Sequence, residues 1–183
     1  MIGIKKLYYG TAFAAAPAAP YVEGTASSGF TAAEIKAKIA LGTEITNIHG
    51  DLWTYEEAMN TVTGYKNKLT DEEYRATYAK GEKKMSFTIG QYEFATKAAL
   101  QGGTASTTVK YVGPATASPV YKSMIALTDD DIYIVFPKAR VNVGGVTTDD
   151  AVGLKCEAVQ MQGDVAGMDP FLYITKAAVD AAS

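Results

Sequence analysis

Between Lys84 and Gly103 the spacing of the apolar positions changes, and the change marks two elements. Met85, Phe87 and Ile89 alternate with Ser86, Thr88 and Gly90, the period-2 pattern of a strand with one buried face. From Tyr92 the spacing becomes helical. Phe94 with Ala98 and Ala95 with Ala99 sit one turn apart, and Glu93 is four residues from Lys97. Gly102–Gly103 follow Leu100 where a left-handed cap ends a helix. A strand over 84–90 feeding a helix over 92–101 is predicted.

Ahead of this hinge, Ile2 to Tyr9 reads as an opening strand, and Thr11 to Gly29 is an Ala/Pro/Gly/Ser stretch that reads as a flexible loop or arm. Thr31 and Glu34 form a capping box, in which the hydroxyl takes the N3 amide and the carboxylate reaches back to the N-cap amide. Ala32, Ile35 and Ile39 then make the apolar face of a helix ended by Gly42. Ile45 to Ile48, a turn at His49, Gly50 and Asp51, and Leu52 to Tyr55 predict a hairpin. The segment 56–81 is polar and predicts a projecting hairpin.

Past the second helix, Thr107, Val109 and Tyr111 alternate with Thr108, Lys110 and Val112 as one strand, and Val120 to Leu127 is another. An acidic turn, Asp129 to Asp131, leads into Ile132–Phe136, which Pro137 ends or places at an edge. Ala139, Val141 and Val143 share a face, Gly144–Gly145 turns the chain, and Val152, Leu154, Cys156 and Ala158 return toward the core. Phe171 to Ile174 is the last strand, and Lys176 to Ser183 is a fraying tail. About nine or ten short strands and two helices define a mostly β (α+β) chain: a two-sheet antiparallel β-sandwich or barrel with one or two short flanking helices. The whole chain, 1–183, reads as one domain.

Composition narrows the function. With 17 Lys+Arg against 20 Asp+Glu, the net charge of -3 offers no bulk attraction for nucleic acid or an anionic membrane. The single cysteine, Cys156, excludes an internal disulfide and reads as a small core residue. Lys5–Lys6 before an Ala/Pro-rich stretch imitates a secretory signal, but tyrosines, a glycine and a threonine stand where a leucine-rich centre belongs. No apolar run is long enough for a membrane span.

Chemistry is sparse. His49 beside Asp51 lacks any nucleophile signature and reads as turn chemistry. Asp129 to Asp131, Asp164 and Asp169 offer oxygen ligands without the spacing of a calcium loop, and one Cys with one His cannot build a zinc site. Neither glycine pair lies in a phosphate-binding motif. Twelve tyrosines suit core or interface better than base stacking. The residues predict no enzyme, no cofactor and no metal, but a domain built to associate.

The order of these patterns resembles a known family. A polar hairpin, a strand ending at Ile89–Tyr92, and a short Ala-rich helix closed by Gly102–Gly103 are similar to the tail tube (major tail) proteins of phages and prophages. Ile132–Val141 followed by Gly153–Val159 resembles the paired strands in the second half of that family, and the similarity spans about 43 to 175. The resemblance implies a virion structural protein, made in the bacterial cytoplasm and placed in the tail. Its copies would form six-fold rings whose inner strands join into one barrel, and the rings would stack into a conduit. Partners would be the chain itself and other tail proteins, with DNA only as passing cargo and no membrane. A tube subunit of a contractile injection or type VI-like system, and a secreted fimbrial or cell-surface β-sandwich protein, are the alternatives.

Within the arm, Lys66 and Lys68 lie on one limb and Asp71, Glu72 and Glu73 on the other, with Tyr65, Leu69 and Tyr74 as anchors. A segment this long without core residues needs a purpose, and these eight residues are the expected ring-stacking contact.

Overall fold

The computed structural model describes residues 3–25, 28–50, 52–106, 109–148 and 151–182. In chain order the elements are β1 (Ile4–Thr11), α1 (Ala32–Leu41), β2 (Thr43–Glu44), β3 (Thr54–Glu57), β4 (Thr61–Lys66), β5 (Glu73–Ala79) and β6 (Lys83–Ile89). There follow α2 (Phe94–Gln101), β7 (Thr104–Ser106), β8 (Lys110–Val112), β9 (Val120–Thr128), β10 (Ile132–Thr148), β11 (Ala151–Gln160), β12 (Leu172–Thr175) and α3 (Lys176–Ala181). Strand outweighs helix by 46% to 14%, so the chain is mostly β.

Eight strands form one antiparallel sheet in the order β2-β1-β9-β10-β11-β6-β3, with β12 also on β10. This sheet curls until its edges meet. Thr43 and Glu44 pair with Tyr9 and Tyr8 of β1, and the Ile45 amide donates to the Leu7 carbonyl. A few residues later the His49 amide donates to Thr88, Asn47 accepts from Gly90, and Thr54–Glu57 pairs with β6. The predicted hairpin between 45–48 and 52–55 is therefore not made. Each limb instead completes the open edge of a longer strand, which satisfies more backbone donors and acceptors than a four-residue hairpin could.

Side-chain alternation fills both sides of the central strands. Leu7, Met85, Phe87, Met124, Ala126, Ile134, Phe136, Leu154 and Cys156 meet inside the curl, joined by Trp53 and by Leu100 from α2. Tyr8, Ile125, Leu127, Tyr133 and Val135 point outward into a second core under Ile35 of α1, Val179 of α3, Phe13 and Met168. Because β9 and β10 are covered on both faces, their apolar residues run nearly unbroken there.

The local expectations for β6 and the α1 cap hold, and α2 ends at Gly102, though with ψ of -178° that glycine is extended and not the expected left-handed helical cap. Met85, Phe87 and Ile89 are buried, Gly102 and Gly103 take φ of 84° and 89°, and the Thr31 hydroxyl and Glu34 carboxylate make both bonds of the capping box. Burial also pushes the Cys156 thiol up to about 12, as suits a core residue.

Several segments differ from their sequence reading. The 11–29 stretch lies against the outer core: the Phe13 amide donates to Pro137, the Ala18 amide to Glu34 Oε1, and the Phe13 and Phe30 rings meet edge-on at 5.1 Å. Lys176–Ala181 is a helix, capped by the Thr175 hydroxyl and held by Val179, because docking supplies what so short a helix lacks alone. Gly144 and Gly145 sit within β10 opposite Lys155 and Leu154, so the chain does not turn there. Val152 is 64% exposed on the far part of that hairpin, whose connection at 149–150 lies outside the described residues. The expected strand over 107–112 is a small β7–β8 hairpin, with Thr107 and Thr108 also outside the described residues.

Pro137 neither ends β10 nor marks an edge. On one side β10 pairs with β12 through Val135 and with β11 from Ala139, and on the other its register to β9 shifts between Phe136 and Ala139. The proline occupies the handover, where no ladder donor is required of it.

Replacing Phe87 by alanine should lower the stability to urea by about 3–5 kcal/mol through loss of burial and a residual cavity, whereas Val152→Ala should change it by no more than about 0.5 kcal/mol. Asp169 gives a pH-dependent prediction. Its carboxylate is buried beneath the 28–30 turn and accepts the Phe30 amide at 2.7 Å; burial pushes its pKa above the ordinary 3.8, against the pull of that bond. The native state thus holds this proton more tightly than the unfolded chain, so the stability this group contributes is full below 3.8 and lost as pH rises through the folded value. Asp169→Asn should gain stability relative to the parent as pH rises across that window; an unchanging difference in paired denaturation curves would refute the assignment.

Candidate assembly site

The arm begins where β3 and β6 stop pairing. Beyond the last pair, Glu57 with Lys83, the Ala58 amide donates to Glu82 and the Gly81 amide to Asn60 Oδ1. A Cβ on Gly81 would stand 1.8 Å from the Ala58 carbonyl oxygen, so only glycine allows the two chains to cross this closely. The chain then continues as the β4–β5 ladder, a two-stranded sheet separate from the main one. Nearly every residue in it is exposed.

The root of the arm is tied to the body by a polar and aromatic cluster. The Lys83 side chain is 6% exposed, pairs with the Glu57 carboxylate and lies 4.2 Å from the Phe171 ring centre. Burial pulls the Lys83 pKa down. Glu57 also accepts the Tyr173 hydroxyl at 2.8 Å and the Tyr55 hydroxyl at 3.3 Å, while the two hydroxyls stand 2.5 Å apart. Burial, then the bond to Tyr173, pushes the Tyr55 hydroxyl pKa well up. The Tyr173 ring meets those of Tyr55 and Phe171 edge-on, so the cluster joins β3 and β6 to β12, which share no ladder.

Register decides which arm residues act together. Val62 faces Tyr78 and Gly64 faces Ala76, and a shift between Tyr65 and Lys66 leaves Tyr74 as the extra residue. Val62, Ala76 and Tyr78 therefore share one side, and Thr61, Thr63, Tyr65, Arg75 and Thr77 the other. Tyr65 and Tyr74, read as joint anchors, are not a cross-strand pair, since Tyr65 sits opposite Arg75. Tyr65 is engaged by the Arg75 guanidinium, 5.7 Å from its ring centre. The charges are also less segregated than their order suggests, because Lys66 sits opposite Glu73 and reaches Asp71 at 3.4 Å.

The tip is built on Asn67. Its carbonyl accepts the Asp71 amide, its side chain accepts the Leu69 amide at 2.9 Å, and its own amide donates to Glu72. Asp71 takes a positive φ of 54°, which an aspartate tolerates. The turn carries Lys68, Leu69 and Glu72 outward, with Leu69 94% exposed. Val62, Tyr78 and Met59 escaped the sequence reading, although Tyr74, Ala76 and Tyr78 carry a legible period of two.

The polar clusters weighed as chemistry are placed otherwise. Asp131 pairs with Lys5 at 2.9 Å, Asp164 pairs with Lys138, and Asp169 lies buried under the 28–30 turn, so these acids are separate. Among the described residues no three His, Cys, Asp or Glu side chains are grouped to hold a metal ion. Asp51 lies outside the described residues. No described helix is long and apolar enough to cross a membrane. No family model matches the sequence, and no curated protein matches it.

The cluster at the arm root makes an asymmetric prediction. Glu57→Gln leaves the Lys83 ammonium buried with only a neutral acceptor and should cost about 1–3 kcal/mol in thermal or urea unfolding. Lys83→Met, which removes the buried cation altogether, should be near neutral or stabilising. Equal losses for the two would show that the pair is not the binding element of the root.

Proposed function

We propose that this protein is a structural subunit that assembles with copies of itself into stacked rings forming a hollow tube, as in the phage and prophage tail tube proteins its sequence pattern resembles. One observation carries the reading: beyond its root, where Lys80 lies 5.9 Å from the Phe171 ring centre, the arm is a β4–β5 hairpin that exposes Val62 and Tyr78 on one side and has nearly every residue exposed. Ordering such a segment costs conformational entropy, which contact with another copy offsets. Exposed tyrosines supply large contact area at the centre of such surfaces. A curled sheet also suits a ring subunit, since lateral neighbours can cover what remains of its edges. The mild negative charge of -3 fits a conduit along which DNA passes without sticking. On this reading the protein belongs to a virion tail, its partners are itself and other tail proteins, and it performs no catalysis.

The test is direct. Concentrated full-length protein should form rings and tubes in negative-stain electron microscopy, and a chain that stays monomeric at every concentration would sink the reading. Replacing 66–73 by a short Gly-Ser linker should leave the melting temperature within a few degrees of the parent, because these residues contribute nothing to either core, and should abolish the tubes. Tubes of normal length from that variant would show that the arm is not the stacking element.

A further inference from the structure

The arm and α2 lie beyond opposite ends of β6: the arm precedes its N-terminus and α2 follows its C-terminus. The strand between them has seven residues, a span of about 20 Å at the usual rise. At the α2 end an open groove of about 470 Å3 lies between α2, the β7–β8 hairpin, the 113–119 loop and β10. Its walls include Pro114, Val120 and Val143, together with Lys97 and Tyr111. The walls are fixed in place, since the Tyr111 hydroxyl donates to Gly102 at 2.9 Å and Gln101 Nε2 donates to Val143 at 3.4 Å.

Lys97 is the distinctive group there. It is half-buried, with its ammonium 4.8 Å from the Tyr111 ring centre and 5.7 Å from that of Tyr92. Among the described residues no carboxylate forms an ion pair with it. A cation held against two aromatic faces, and in an ion pair with no carboxylate among the described residues, favours an acidic visitor. The arm tip offers the complement. Leu69 is almost fully exposed, and the neighbouring Glu72 has no ion pair among the described residues, whereas Asp71 is engaged by Lys66.

Resting on the tube reading above, we infer that this groove receives the arm tip of a second copy of the chain, with Leu69 against Pro114, Val120 and Val143 and Glu72 on Lys97. The arm leaves the N-terminal end of β6, whereas the groove reaches β10 at Val141–Val143, level with Met85 and Phe87; donor and receiver are different surfaces of one subunit, so the contact is heterologous. Repeated from copy to copy, such a contact builds the open stack that the tube reading requires, provided that its rotation does not close. Two arms meeting each other would instead bring Glu72 and Glu73 together with like charges, which the Lys97 groove avoids.

A charge exchange tests this. Lys97→Glu and Glu72→Lys should each reduce the sedimenting, assembled fraction by about tenfold, and the double variant should recover it, with the melting temperatures of all three close to that of the parent. Full assembly by Lys97→Glu, or no recovery in the double variant, overturns the groove as receiver while leaving the tube reading intact. A second measurement does not need tubes. Thr70→Cys and Ser118→Cys proteins, mixed and mildly oxidised, should form a mixed disulfide; only same-variant dimers, or none, overturns the contact. The buried Cys156, its thiol pushed up to about 12, will not compete in that exchange.

Discussion

Backbone hydrogen bonding at the two edges of the main sheet is the constraint on which the rest of the structure depends. A long antiparallel sheet leaves a row of unpaired amides and carbonyls at each end. Here one stretch, from Thr43 to Glu57, serves both ends, pairing first with β1 and then with β6. It can do so only if β1 and β6 approach each other, and that closure brings Leu7 and Phe87 into one core although they lie on strands far apart in the sheet order. The hydrophobic interior is thus a consequence of edge pairing as much as its cause. It also explains why Ile45 and Trp53, either side of a turn, are both buried.

Closure leaves the outer face of β1, β9 and β10 uncovered, and that face is apolar. The chain covers it with the segments that look least like structure: the Ala/Pro stretch carrying Phe13, the helix built on the Thr31–Glu34 cap, and the C-terminal helix carrying Val179. Lys36 ties the two helices together by donating to the Ala182 carbonyl at 2.5 Å. Pro137 is tolerated in the middle of this arrangement because β10 changes partners from β12 to β11 at that point.

The arm follows from the same logic in reverse. β3 and β6 stop at Glu57 and Lys83, where a buried lysine is compensated by a carboxylate that also accepts from two tyrosine hydroxyls. Past that clamp the ladder resumes as β4–β5 with neither face packed on the body. A hairpin held to the body only at its root, with both faces exposed beyond it, is the feature that asks for another molecule, and its register places Val62 and Tyr78 on one side. The eight residues singled out from the sequence do lie on this arm, but not as one surface: Tyr65 is taken up by Arg75, Lys66 by Asp71, and Leu69 with Glu72 is left at the tip.

Local rules were legible in the sequence wherever the interaction spans only a few residues. The alternation of Met85, Phe87 and Ile89, the Thr31–Glu34 box, the end of α2 at the positive-φ pair Gly102–Gly103 and the turn at Asp129 to Asp131 all depend on neighbours within one turn or one pleat, and each is legible from spacing. The polar composition of 56–81 likewise indicated a hairpin that contributes nothing to the core. Only the tertiary structure decided where Ile45 and Trp53 find their partners, that Gly144–Gly145 continue a strand, that Pro137 sits at its centre, and that the last residues form a helix. Those outcomes depend on which distant strand edge or apolar face a segment meets. Periodicity along the chain gives a residue its face, but the partner across that face is chosen by contacts that local spacing does not contain.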